Sequence, residues 1–310
     1  MYTNHVMPMD AIRASIHIVP ADVEDGIGSC WVLPKRSICA LLTKFDPQAL
    51  VRIFLVVLCW HGLASCQTSI VVIKDDVHII VAADSKVYRS EKPMCKIHQV
   101  GNVFWAMSGL LDDSESGYHV GPLAEESIRQ GGIMANALEH FEDAFPLMID
   151  REIAFIRKAH PEWYGSLSTE MGGLAIAFFG IENGKPVMAF VNYQKEDRAD
   201  GVFSIKIEDQ GVFGQCPDGH NVCGEFLGKK AKGMAYLSAH KGWGGGDLTE
   251  TVKKIVILEI EEAPDFVSEP ISVLRIGQSG TFWIAQNNCP DIKQQPKPKP
   301  KREKSSGKTH

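Results

Sequence analysis

Thr68 and Asp84 bracket the stretch of this 310-residue chain whose residue types and spacing best suit chemistry, TSIVVIKDDVHIIVAADSK, running from Thr68 to Lys86. Ile70 to Ile73 and Val77 to Val81 are β-branched runs separated by Lys74-Asp75-Asp76, which predicts two strands joined by a tight turn. Continuous apolar runs of this kind suit strands covered on both faces. A hairpin centred on Asp76 pairs residues whose numbers sum to 152, and 68 + 84 = 152. Thr68 is then expected across from Asp84, with opposed Cα atoms about 4.5–5.5 Å apart. Ala82 and Ala83 leave room around the carboxylate. A register change of one residue would move Asp84 off that pairing.

Two further segments carry polar residues at positions that need explaining. Cys95-Lys96-Ile97-His98 begins a second hairpin, whose Gly101-Asn102 turn joins Lys96–Val100 to Val103–Met107. A lysine turned inward on such a strand is unfavourable without a partner. Far downstream, Asp265-Phe266-Val267-Ser268 falls between a helical stretch, Leu248 to Glu261, and the β-branched Ile271-Ser272-Val273-Leu274. Asp-x-x-Ser alone is common in turns; its place in this order gives it value.

The elements between follow from periodicity. Apolar spacing near 3.6 predicts helices over Glu125 to Ala144 and Ile149 to Lys158, and a later pair over Phe226 to His240 and Leu248 to Glu261. Strands are expected at Leu174–Phe179 and Val187–Tyr193 around Asn183-Gly184, and at Val202–Ile207. Val273–Ile276 and Thr281–Ala285 form a closing hairpin around Gln278-Ser279-Gly280. Strands, helices, strands, helices, strands is an α+β order that suits two stacked antiparallel sheets between helical layers.

Thr68-Ser69-Ile70-Val71 followed by Ala82-Ala83-Asp84-Ser85 resembles the opening hairpin of proteasome β-subunits and of the bacterial HslV peptidase, without a gap from Thr68 through Asp84. The resemblance covers roughly Thr68 to Gln286 and implies a four-layer αββα sandwich, the N-terminal-nucleophile (Ntn) hydrolase fold. It also implies a threonine-type amidohydrolase, a peptidase acting on peptides or small amides. In that family the chain is cut before the threonine, whose hydroxyl attacks an amide while its freed α-amine serves as base. An α-amine titrates near 7.7–8.0, so a neutral fraction is available without a separate histidine. The resemblance makes Thr68 the nucleophile, Asp84 and Lys96 its electrostatic partners, and Asp265 and Ser268 its supports. Ser108-Gly109 resembles the turn that lines the cleft and offers a backbone N–H to an oxyanion. Homo-oligomers are expected, since proteasome relatives assemble into rings.

Two departures from the pattern are plain. The family's Ser-Gly element before the second-last helix has no counterpart in Gly214-Gln215-Cys216-Pro217-Asp218-Gly219-His220, where only Asp218 or Cys216 could substitute. Gln67 precedes Thr68 where self-cleaving relatives usually carry Gly. These departures favour a second reading, a non-catalytic binding or assembly protein of the same fold. A third makes Cys66 the nucleophile.

Composition bounds the remaining classes. A net charge of -6 argues against nucleic acid as main partner. None of the eight cysteines forms a C-x-x-C pair, so no metal site is expected, and no cofactor. Buried thiols are the default for the cysteines of the domain, with a disulfide compatible with export. Val51 to Cys66, VRIFLVVLCWHGLASC, has the layout of a secretory signal and is too short to span a bilayer comfortably. Leu63-Ala64-Ser65-Cys66 resembles a bacterial lipobox, making Cys66 a lipidation site and membrane anchor of an exported, periplasmic or envelope protein. The alternative is a buried helix in a cytoplasmic one. Residues 1–50 show no sustained period and are unassigned, with translation expected to begin near Val51. The domain is expected over 67–288, followed by a basic, Pro-rich disordered tail over 289–310. His78, the paired glycines at 131–132 and 172–173, and the loop carboxylates Asp112, Asp113 and Glu115 read as structural or solvated.

Overall fold

The β-branched runs, the turns and the helical stripes resolve into mixed α+β architecture in the computed structural model, which describes residues 68–86, 92–170, 174–243 and 246–293. In chain order the elements are β1 (Ser69–Lys74), β2 (His78–Ala83), β3 (Ile97–Val100), β4 (Val103–Ser108), the two-residue strands β5 (Asp112–Asp113) and β6 (Tyr118–His119), and helices α1 (Val120–Gly131), α2 (Met134–Ala159) and α3 (Pro161–Glu170). Strands β7 (Leu174–Glu182), β8 (Lys185–Asp197), β9 (Phe203–Phe213) and β10 (Cys223–Gly228) follow. Helices α4 (Ala231–Ala239) and α5 (Leu248–Glu262) and strands β11 (Ser272–Gly277) and β12 (Gly280–Ala285) complete the order. Two five-stranded antiparallel sheets result, ordered β10-β1-β2-β11-β12 and β3-β4-β7-β8-β9.

Side-chain alternation assigns each strand face to a core. Ile70, Val72, Ile79 and Val81 meet Phe104, Ala106, Ala177 and Phe179 in a cluster between the sheets. The opposite faces of β1 and β2 put Val71, Ile73, Ile80 and Ala82 against Val252, Ile255 and Val256 of α5. On the outer side of the second sheet, Met107, Ile176 and Phe178 pack with Phe141, Phe145 and Ile149 of α2. Each such fully buried side chain stabilises the fold by about 1.5–3 kcal/mol relative to exposure. This is why β1 and β2, covered on both faces, read as unbroken apolar runs.

Several expectations are corrected. The first hairpin pairs Ile70 with Ala83 and Lys74 with Ile79, so paired numbers sum to 153 (70 + 83) rather than 152. The cause is the turn: Asp75 Oδ1 accepts from the backbone N–H groups of Val77 and His78 at 2.7 and 2.6 Å, which moves the turn centre past Asp76. Phe226 lies in a strand, not a helix, because β10 pairs along the whole of β1, Ser69 opposite Gly228 and Lys74 opposite Cys223. The first helical stretch divides at Gly131-Gly132, where Gly132 has φ 72°, and α2 then continues through Pro146. Its buried series Met134, Leu138, Phe141, Phe145, Ile149 and Ile153 outweighs the one lost backbone bond.

The cysteine expectation changes as well. Cys95 is bonded to Cys289 and Cys216 to Cys223, with Cα–Cα distances of 4.7 and 5.4 Å. Cys289 is buried, and the Lys293 N–H donates to Gln99 Oε1 at 2.9 Å, so the ordered domain runs past the expected boundary at residue 288. The signal segment with Cys66, the upstream residues 1–50 and the tail from 294 lie outside the described residues. Among the described residues no helix is long and apolar enough to cross a membrane.

Candidate active site

Thr68 is the residue immediately before β1, and its backbone is fixed by the end of β10. The Lys229 N–H donates to the Thr68 carbonyl oxygen at 2.8 Å. Gly228 turns the chain there with φ 90°, and a Cβ on it would lie 2.1 Å from that same oxygen. The site therefore requires glycine at 228 both for its left-handed backbone and for the close approach. Nothing in the sequence pattern marked this residue.

Asp84 follows β2 and is 1% exposed. Its Oδ1 accepts from the Ser69 N–H at 2.9 Å and from Lys96 Nζ at 2.8 Å, while Oδ2 accepts from the Lys86 N–H at 3.0 Å. Three donors, one of them charged, compensate the carboxylate's loss of water. The Asp84 N–H donates to the Ser69 carbonyl at 3.1 Å, so it is Ser69, not Thr68, that sits opposite. The shifted register thus separates the hydroxyl from the carboxylate, and Lys96 reconnects them.

Lys96, just before β3 and 3% exposed, donates from Nζ to Thr68 Oγ1 at 2.7 Å as well as to Asp84. Burial lowers its pKa below the ordinary lysine value of 10.5; the Asp84 charge and hydrogen bond work against that shift. An ammonium bonded to a hydroxyl oxygen lowers the proton affinity of that oxygen and stabilises the alkoxide. Ser108 is fully buried at the end of β4, and Gly109 follows with φ 98°; a Cβ on Gly109 would strike Leu174 Cδ2 at 2.3 Å.

The downstream loop reaches the site differently from the expectation. Ser268 contributes its backbone carbonyl, which accepts from the Ser85 N–H at 3.3 Å. Asp265 is exposed, and no hydrogen bond joins it or the Ser268 hydroxyl to Thr68. With Gln67 attached, the Thr68 nitrogen is a neutral amide rather than an ammonium that would attract a carboxylate. The stretch 214–220 lies at the other end of β1, since Cys223 pairs with Lys74; at about 3.4 Å per residue that is about 20 Å from Thr68. Cys216 is held in a disulfide there, so neither it nor the exposed Asp218 can complete the site. Next to Thr68 the chain offers Gly228-Lys229-Lys230 instead, and Lys229 Nζ stands 5.8 Å from the Phe266 ring of the downstream loop.

Thr68 and Lys96 open into a cavity of about 780 Å³, also lined by Met94, Gly109, Trp105 and Trp163. That volume suits a ligand of peptide-fragment size. Among the described residues no group of three His, Cys, Asp or Glu side chains is arranged to hold a metal ion. Comparison with protein-family models and with curated proteins returned no match.

Proposed function

We propose that the chain is a threonine-type Ntn amidohydrolase, a peptidase of the proteasome and HslV kind, built as a four-layer αββα sandwich. One observation carries the reading: Lys96 Nζ lies 2.7 Å from Thr68 Oγ1 and 2.8 Å from Asp84 Oδ1, inside a water-poor pocket that opens into the cavity. A buried lysine donating to a threonine hydroxyl has no packing rationale, because an apolar residue would fill the same space at lower cost.

In this mechanism the residues through Gln67 are first removed, freeing the Thr68 α-amine. The amine accepts the Oγ1 proton as Oγ1 attacks the substrate carbonyl carbon. The resulting oxyanion faces the Gly109 backbone N–H, and Lys96 steadies the negative charge that develops at Oγ1. Collapse expels the leaving amine, which takes the proton back from the α-ammonium, and water then cleaves the ester to release the acid and restore Thr68. The Cys95–Cys289 and Cys216–Cys223 bonds support export to an oxidising compartment, since such bonds persist there and are reduced in most cytosols. The measurement is intact mass and N-terminal sequence of mature protein, with amide hydrolysis assayed beside Thr68→Ala. Thr68 as first residue and activity lost in the variant support the reading. A mature chain that keeps Gln67 and hydrolyses nothing refutes it.

That the exposed Asp265 makes no hydrogen bond to Thr68 among the described residues favours the second reading, a binding or assembly protein. A lipidated Cys66 as the mature first residue is its signature.

A further inference from the structure

The cavity beyond Thr68 is strongly one-sided in charge. Asp112, Asp113, Glu115 and Glu125 all line it. The two lysines on its wall are already engaged: Lys96 with Asp84 and Thr68, and Lys86 with the Pro264 carbonyl at 3.0 Å. The carboxylates have weaker counterparts. His119 bonds Asp112, His160 lies 3.0 Å from Glu115, and Arg129 lies 2.7 Å from Glu125. Four carboxylates thus face one guanidinium, the Lys86 ammonium and two imidazoles, which leaves the wall negative while the imidazoles are neutral.

A second, independent feature stands behind that wall. Glu152 of α2 is 2% exposed, and one of its carboxylate oxygens has no hydrogen-bond partner among the described residues. Its carboxyl group lies beside Ser116 and Asp113, within reach of the His160 charge. Burial pushes it up to about 7, so it is poised to ionise when positive charge arrives in front of it. The aromatic lining completes the picture. Trp163 borders the same space, while Trp105 is buried beneath it with one face stacked on His98, ring centroids 4.2 Å apart. The acids are too dispersed to chelate a bare metal ion, since no three of them converge. An extended organic cation on a flexible arm fits both the spread of charge and the aromatic wall.

We propose that this cavity selects peptides bearing an arginine or lysine side chain, held by Asp113, Glu115 and Glu125 against Trp163. The assignment rests on the hydrolase reading of Thr68 for its catalytic meaning, but the binding itself does not need the nucleophile.

The test therefore uses the full-length Thr68→Ala protein, titrated calorimetrically with the N-acetyl methylamides of arginine, leucine and glutamate. The arginine amide is expected to bind about tenfold more tightly than the leucine amide, with the glutamate amide weakest and the preference shrinking at high salt. Asp113→Asn combined with Glu125→Gln should abolish the preference. Glu115→Gln, on an exposed side chain whose change spares folding, should reduce it by about threefold. Equal affinities, a preference for leucine or glutamate, or an arginine preference untouched by these variants would each overturn the proposal. Hydrolysis by wild type without arginine-selective binding sinks this proposal and leaves the hydrolase reading standing. Selective binding without hydrolysis does the reverse.

Discussion

The two ends of β1 each bury a lysine, and the contrast between them shows what marks a candidate chemical centre beyond burial. Lys96 at the Thr68 end meets a carboxylate and a hydroxyl within 2.8 Å and faces the cavity. Lys74 at the other end is equally buried, yet its ammonium reaches no carboxylate, only the Gly214 carbonyl at 3.3 Å and Cys216 Sγ at 4.0 Å among the described residues. Burial lowers the pKa of both; for Lys74 the opposing pull comes from Asp76, exposed at the turn, and from the half-buried Asp75. A displaced pKa therefore does not by itself identify chemistry. What distinguishes Lys96 is the hydroxyl it bonds and the space into which the pair opens.

Substitution should break the symmetry most sharply. Lys96→Met is expected to cut amide hydrolysis by about a thousandfold or more, comparable to loss of an oxyanion donor, and to destabilise the fold by about 3–5 kcal/mol because Asp84 is left buried and unpaired. Lys74→Met should leave turnover within about twofold and stability unchanged or higher, since it removes a desolvated charge with no carboxylate bonded to it. Initial rates and urea midpoints on the two variants decide the matter. Equal effects would erase the distinction.

Next in size is Gly228→Ala. Its Cβ must displace the Thr68 carbonyl, 2.1 Å away, and shift the hydroxyl relative to Lys96. A shift of about 1 Å is expected to cost about a hundredfold in kcat. The disulfides sharpen the same contrast in stability. Cys95–Cys289 spans 194 residues and Cys216–Cys223 spans 7. Loop-closure entropy alone makes removal of the first about 3 kcal/mol more costly. Paired Cys→Ser variants followed by thermal melts should show that order, with hydrolysis impaired only where Cys95, the neighbour of Lys96, is released.

The smallest effect is in the pH profile. Activity needs charged Lys96, whose pKa lies below 10.5, so the alkaline loss of rate should set in below that value. Asp84→Asn removes the charge that opposes the shift and should move the loss to still lower pH. Lys96→Arg, which stays protonated, should abolish that limb in whatever activity remains. An alkaline limb unchanged in both variants would show that another group sets it.

Much of this arrangement was legible from the sequence, for specific reasons. The runs at 70–73 and 77–81 announced strands because both faces are buried, and Asn183-Gly184 announced its hairpin because both residues adopt positive φ, 50° and 78°. The register was not legible, because one side-chain interaction, Asp75 on two N–H groups, decides it. The strand at 223–228 was hidden because its pairing partner lies far upstream in β1, and Phe226 fits a helical stripe as readily as a strand face. Thr68, Asp84 and Lys96 could be named in advance. Gly228 could not, since its necessity comes from a carbonyl met only after folding. The loop acids Asp112, Asp113 and Glu115 looked merely solvated, because the cavity they line is assembled from distant segments.

The bond between Cys95 and Cys289 closes a covalent ring around most of the domain; of the described strands and helices, the Thr68 hairpin, β1 and β2, lies outside it. A single cut in any surface loop between those cysteines would nick the ring without releasing a fragment, while a cut ahead of Thr68 falls outside it. The trimming proposed to bare the threonine and accidental scission elsewhere are thereby made topologically unequal: one discards a piece of chain, the other cannot.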